Sequence, residues 1–268
     1  MAIRGQWGIG REHPCSYLPE QTARMELLTV SEIGEPEFDA LMTQGYRHFG
    51  LQFFRPCCRN CHACVPLRLC TAGFRVSRSM RRVFRRAGGL SVELTAPRAS
   101  PEAYELYCRH KERFRDTNPE SQPVTYEDFV QAFYTPLPFS RTLLIRDRGR
   151  LVAVSHLDTT ARSVSAVYCY YDARDLALSP GRLAVYLETA LAAQAGVPHV
   201  HLGYYIAANR HMRYKAGFRP SEVLLGANEW VPFMDAGNHC ILDPERLAAG
   251  FRPPGRPQFS AAEASARP

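Results

Sequence analysis

This chain has no apolar run long enough to cross a bilayer. Its longest apolar stretch, "LAVYLETALAAQAG", is broken by charge and falls well short of the roughly 20 residues a spanning helix needs. The first residues, "MAIRGQWGIGREHP", offer no apolar segment for a secretory signal, so a cytoplasmic protein without a membrane partner is expected. No internal repeat is visible, which argues against a stacked array. Acidic residues are comparatively few: 26 stand against 33 lysines and arginines, and the net charge of +7 points to a polyanionic partner. An even cysteine count is also missing. Nine cysteines cannot all pair within one chain, and in a reducing compartment they are expected as thiols or metal ligands.

What is present reads as a globular α+β protein. At 268 residues the chain can build one large domain or two smaller ones. A first unit is expected over residues 1–95. It holds a short helix at 35–45 with Pro36 near its start, a strand through "HFGLQFFRP", an extended "VPLRLCTAGFRV", and a helix from Ser77 stopped by Gly88 and Gly89. A second unit is expected over 96–236. Helices at "SPEAYELYCRHKERFRD" and "TYEDFVQAFY" precede three strands, "RTLLIRD", "RLVAVSHLD" and "SVSAVYCYYD", joined by turns. A secure helix, "SPGRLAVYLETALAAQAG", and a strand, "VPHVHLGYYI", complete helices packed on a mainly antiparallel sheet. Residues 237–268, rich in proline and small residues towards the end, read as a disordered tail.

Two clusters carry chemistry. In "RPCCRNCHACVP", Cys58, Cys61 and Cys64 form a C-x2-C-x2-C run, whose two-residue spacing lets thiolates turn towards one ion or cluster. Cys15 or Cys57 could supply a fourth ligand, and either zinc or an iron–sulfur cluster would use such a set. Cys70, Cys108, Cys169 and Cys240 stand singly and read as core thiols. Immediately downstream, Arg75, Arg78, Arg81, Arg82, Arg85 and Arg86 lie within twelve residues. On a helix they could follow the phosphate backbone of an RNA, contacts that position it without reading its sequence. A rigid metal loop beside them would hold that platform in place. The strand, loop and helix of "VYCYYDARDLALSPGRLAVYLETAL" resemble the way GNAT-type acyltransferases surround an acyl carrier, although the glycine-rich acetyl-CoA fingerprint is incomplete.

Five stretches in order resemble the aminoacyl-tRNA–protein transferases of the N-degron pathway, which include arginyltransferases and the bacterial aspartate/glutamate leucyltransferases. They are "CSYLPEQTARME", "GYRHFGLQFFRPCCRNCHACVPLRL", "FRVSRSMRR", "SVSAVYCYYD" and "HLGYYIAANRHMRYKAGFRPSE". The resemblance implies a small N-terminal domain beside a GNAT-like domain. It also implies transfer of an amino acid, leucine ahead of arginine, from its tRNA to proteins beginning with Asp or Glu. An iron–sulfur cluster or zinc is implied at Cys15, Cys58, Cys61 and Cys64, with no organic cofactor. The family's Tyr–Lys motif falls on Tyr214 and Lys215, and its aromatic–Asp strand end on Tyr171 and Asp172. Lys215, with Arg213, Tyr214 and Tyr204, is expected to bind the substrate, and Tyr168, Tyr171 and Asp172 to hold the amine and the terminal ribose. A monomer is expected. Where bacterial members read G-F-R-R-S-G this chain has "GYRHFG", placing His48 and Phe49 at the changed positions. Further departures are His211 for lysine, Asn209 near an absent cysteine, and "RFRDTNPES" for a His–Gly-rich acidic loop. The competing readings are an acyl-CoA-dependent N-acetyltransferase and a non-catalytic, metal-stabilised RNA-binding protein.

Overall fold

The computed structural model describes residues 3–86, 89–113, 124–135, 137–226 and 229–254. The chain opens with β1 (Arg4–Ile9), followed by the two-residue strands β2 (His13–Pro14) and β3 (Thr22–Ala23), which pair with each other, and by β4 (Met25–Glu32), which pairs antiparallel with β1. Helix α1 (Glu35–Thr43) starts with Pro36, where the missing amide costs nothing, and places Glu35 and Glu37 at the positive end of its dipole. The strand expected over "HFGLQFFRP" is a hairpin instead. Gly50, at φ +51, turns β5 (Arg47–Phe49) back against β6 (Gln52–Pro56). The order β1-β4-β6-β5 forms a four-stranded antiparallel sheet. Phe38, Leu41 and Met42 of α1 bury against Leu28, Val30 and Phe53 of that sheet.

Strand β7 (Val65–Cys70) then leaves for a second sheet. Helix α2 (Arg78–Arg86) is capped by Ser77, whose hydroxyl accepts from the Met80 amide at 3.2 Å, and β8 (Leu90–Thr95) follows. Helices α3 (Pro101–Glu112) and α4 (Tyr126–Tyr134) are capped in the same way by Ser100 and Thr125. Next come β9 (Ser140–Asp147), β10 (Arg150–Thr159), β11 (Ser163–Tyr171), helix α5 (Pro180–Gln194) and β12 (His199–Tyr205). The hairpin of β13 (Ser221–Gly226) and β14 (Glu229–Met234), then α6 (Pro244–Ala249), complete the described chain.

The large sheet runs β14-β13-β7-β12-β11-β10-β9-β8, antiparallel at every junction except β11–β12. Helix α5 packs into one apolar cluster, with Leu183, Ala184 and Tyr186 against Leu143, Ile145 and Val200. Helices α3 and α4 pack into another, with Leu106, Tyr107 and Phe129 against Leu151, Val154 and Tyr170. The α+β class and the mainly antiparallel sheet thus match expectation.

Two differences concern organisation. Strands β7 and β8 precede residue 95 yet belong to the large sheet, β7 between β12 and β13, so the sequence break at 95 does not divide the sheet. The tail expected from residue 237 is folded as far as 254. Leu242 and Phe251 are buried anchors, the Phe251 amide donates to His62 O at 2.9 Å, and Pro254 O accepts from Arg55 at 2.6 Å. Gly250 (φ +69) is required at that turn, because a Cβ there would lie 2.0 Å from His62 O. The rest of the expected tail, 255–268, lies outside the described residues, as do residues 114–123, which hold most of "RFRDTNPES".

Candidate active site

Strands β11 and β12 pair only where Ser163, Val164 and Ser165 face His199, Val200 and His201. Beyond that point each keeps its outer neighbour, β10 or β7, and the two diverge into a fork. Parallel strands that separate leave backbone groups without ladder partners, and such groups need others. Two cations supply them. Arg47, from β5, donates to Ala166 O and, at 2.9 Å, to Ser165 Oγ on the β11 side. Lys215 donates to Tyr204 O at 2.8 Å on the β12 side. Gly203 makes room for both: its φ is +77, and a Cβ would sit 3.3 Å from Arg47 Nε and 3.7 Å from Lys215 Nζ.

Both cations are buried, and burial sets their electrostatics. Loss of water holds the Lys215 ammonium down to about 7, helped by the Arg47 charge and opposed by Cys64. Arg47 is shifted downward for the same first reason. Beneath the fork, Glu188 of α5 accepts from Ser155 at 2.6 Å through Oε1, while Oε2 has no partner among the described residues. Burial pushes this carboxyl up to about 7, against the pull of Ser155 and Arg47.

The cysteine loop abuts this fork. Cys15, Cys58, Cys61 and Cys64 line one cavity of ≈ 30 Å³ together with Tyr17, His62 and Phe251. Val65, next to Cys64, faces Tyr205 at the end of β12, and Asn209 Nδ2 donates to Tyr17 O at 2.8 Å. The four expected ligands therefore converge. Cys57 does not line the cavity, and its carbonyl accepts from Arg24 at 3.1 Å. The thiols fit a cationic guest. Cys64 is pushed up to about 12 by burial and then by the charges of Cys15, Cys58 and Cys61, a repulsion that a metal relieves. Among the described residues, the one set of three thiol, imidazole or carboxylate ligands within 4.8 Å of one another is Cys70, His199 and Glu222, so the loop thiols are set wider than that. A single tetrahedral zinc, with bonds of about 2.3 Å, needs sulfurs closer than this, whereas a polynuclear cluster does not.

Comparison with known proteins gives the chain its family. The model of the family described as "Arginine-tRNA-protein transferase, C terminus" matches residues 102–225, and that of its N terminus matches 13–82. An aspartate/glutamate leucyltransferase of Pseudomonas fluorescens (strain Pf0-1) is 37% identical over 220 residues, covering 82% of this chain and 93% of the relative. The protein of the same name in Stutzerimonas stutzeri (strain A1501) is 36% identical over the same spans.

The chain belongs to the arginine-tRNA-protein transferase family.

It is an aminoacyltransferase of α+β class built on a mainly antiparallel sheet. Among solved structures, L-PGS from Bacillus licheniformis has a TM-score of 0.40 at 14% identity, covering 69% of this chain and 57% of that one. FemX has a TM-score of 0.42 at 9% identity, covering 76% and 81%. At these scores the likenesses add nothing to the topology itself.

Several residues expected at the transferase site stand elsewhere. Tyr168 stacks on Phe133 at 5.0 Å, Tyr171 lies under the Arg113 guanidinium at 4.7 Å, and both rings pack against His110 of α3, at 6.2 and 4.8 Å. Asp172 is no free base. It caps the turn Ala173–Leu178 through the Arg174 amide and accepts from the side chains of Arg174 (2.7 Å) and Arg109 (3.0 Å), which hold it far below the usual carboxylate range. Tyr204 is buried, and its hydroxyl is committed to Gly45 O and Phe54 O. Lys215 lies inside the fork rather than at a sheet edge, and it lines neither described cavity; Arg213 and Tyr214 beside it are exposed.

The arginine segment is helical from Arg78, with Arg75, Arg78, Arg81, Arg82 and Arg85 exposed; the Arg86 side chain lies outside the description. Met80, Val83 and Phe84 seat this helix on the α5-side core. Between it and Cys64 run the six residues of β7, about 20 Å of extended chain, and then residues 71–77. The metal loop therefore does not hold the arginines; the core does.

Arg47 and Glu188 were not singled out from sequence. Arg47 carried no signal beyond its place in "GYRHFG". Glu188 did carry one: a lone carboxylate on the apolar stripe of α5, one turn from Ala184 and Ala192.

Proposed function

We propose that this transferase moves leucine from leucyl-tRNA to the α-amine of proteins that begin with Asp or Glu, marking them for N-degron proteolysis. The observation that carries this reading is the pair of buried cations, Arg47 and Lys215, in the fork of the acyltransferase sheet. The names of the relatives support the leucyl donor and the acidic acceptors.

The reaction exchanges an ester for an amide. The acceptor amine attacks the aminoacyl carbonyl, a C–N bond forms, and the C–O bond to the terminal ribose breaks. One amine proton goes to the departing ribose oxygen, directly or through solvent. An α-amine with an unperturbed pKa of roughly 7.7–8.0 needs little deprotonation, so alignment and charge stabilisation are the protein's main tasks. An Asp or Glu side chain entering the fork meets Arg47 and Lys215 where water is excluded, and its own charge favours the protonated ammonium. Glu188 limits the positive charge there when no substrate is bound. Asp172, with Arg109 and Arg174, positions the turn that leads into α5. Arg75, Arg78, Arg81, Arg82, Arg85 and Arg86 are assigned to the tRNA backbone. Cys15, Cys58, Cys61 and Cys64 would hold an iron–sulfur cluster in preference to zinc, and it would supply a structural tie beside the fork.

We place the protein in the cytoplasm as a monomer. All nine cysteines are free, as a reducing compartment requires, and no described helix is long and apolar enough to cross a membrane. The test is one transfer assay offering purified protein leucyl-tRNA and arginyl-tRNA with Asp-, Glu- and Lys-starting peptides. Leucine on the Asp and Glu peptides alone is expected; arginine transfer, or equal use of the Lys peptide, would overturn the reading.

A further inference from the structure

A second ligand constellation lies on the large sheet, away from the fork and the cysteine loop. Cys70 and His199 are direct cross-strand partners on β7 and β12. Glu222 of β13 pairs with Arg68, two residues from Cys70 and on the same face. One ligand atom from each lies within 4.8 Å of the others, and all three side chains are half-buried. His199 Nε2 is 3.9 Å from Glu222 Oε2. The carboxylate also accepts from Arg68 Nε and Nη2, each at 2.7 Å, and that guanidinium stacks over Trp230 at 4.2 Å. His199, His201, Arg68 and Trp230 line a groove of ≈ 810 Å³ that opens beside the trio.

We propose that Cys70, His199 and Glu222 bind a zinc-type divalent cation, with a fourth position left to water on the groove side. A soft thiolate, an imidazole and one carboxylate suit zinc better than magnesium or calcium, which prefer oxygen alone. Bonds of about 2.0–2.3 Å place ligand atoms roughly 3.3–3.8 Å apart, so closure needs side-chain shifts of about an ångström. Three neighbouring strands present the ligands, and the backbone need not move. Without metal, Arg68 supplies the positive charge next to Glu222. On binding, a metal–sulfur bond replaces the Cys70 S–H bond, the proton leaves to solvent, and no group is oxidised or reduced. A bound ion ties β7 to both β12 and β13, the strands between which it is inserted.

Residue-resolved alkylation separates this site from the cysteine loop. Full-length protein is treated with iodoacetamide with and without one added equivalent of Zn²⁺, and each cysteine peptide is quantified by mass spectrometry. Labelling of Cys70 is expected to slow at least tenfold with zinc and to recover with EDTA. His199→Ala and Glu222→Gln should each abolish that protection. Equal labelling of Cys70 in wild-type protein with and without zinc overturns the site, and so does protection that survives in both variants. The wild-type comparison stands even where a variant fails to fold.

Discussion

At the scale of single residues, the buried titratable groups set how stability responds to pH. Burial holds His156 down to about 3 and His110 to about 4, so both are neutral in the folded protein where an exposed histidine would be charged. Between pH 6.5 and those values the unfolded chain binds more protons than the folded one, and stability falls as pH falls. Glu188 acts in the opposite sense. Its carboxyl is raised to about 7, so the folded state binds the extra proton between pH 4.5 and 7, and stability falls as pH rises through that window. His156→Leu should therefore flatten the acid limb of a Tm-against-pH profile, and Glu188→Gln should flatten the decline towards pH 7. Thermal melts across pH 4–8 test both; profiles parallel to wild type in either variant would contradict the assignment. His48 is different in kind. Its two ring nitrogens lie 2.9 Å from Gly50 O and 2.6 Å from Asp158 Oδ2, so it ties the β5–β6 turn to β10.

At the scale of elements, local signals were readable and long-range pairings were not. A serine cap with proline at the first turn announced α3, a threonine cap announced α4, and β9, β10 and β11 announced themselves by strand composition and turns. The β13–β14 hairpin and the insertion of β7 between β12 and β13 left no local trace, because pairing between strands far apart in sequence is set by packing. The fork was illegible for the same reason: nothing in "HVHLGYY" says where β12 parts from β11. Gly203 is its most exacting position. Gly203→Ala would force a Cβ towards Arg47 and Lys215 at positive φ, so transfer should fall by at least tenfold while tRNA binding, measured by filter retention, stays within twofold. Equal loss of both would indicate general misfolding. On α2, the double substitution Arg81→Gln and Arg82→Gln should weaken tRNA binding and reduce the slope of log K against log salt by about 2. An unchanged slope would remove the RNA role from this helix.

For the whole molecule, sequence proximity misled in one place and family order succeeded in another. Thiols and arginines that adjoin in the chain stand at opposite ends of β7, while Cys64 influences the Lys215 ammonium, 151 positions further on. The end of the described chain closes the cysteine cavity through Phe251, so a segment whose composition reads as disordered completes the site. The N-terminal sheet thus contributes a cation, the central strands the fork, and the cysteine loop a wall beside it. Selection of an acidic acceptor falls to those buried cations. The direct measurement is the ratio of kcat/KM for an Asp-starting peptide to that for its Asn counterpart, with leucyl-tRNA as donor, in wild type and in Lys215→Met. Breaking a buried charge pair costs about 3–5 kcal/mol, so the ratio is expected to fall by roughly 10² or more, with tRNA affinity unchanged. A ratio that stays at the wild-type value would contradict it.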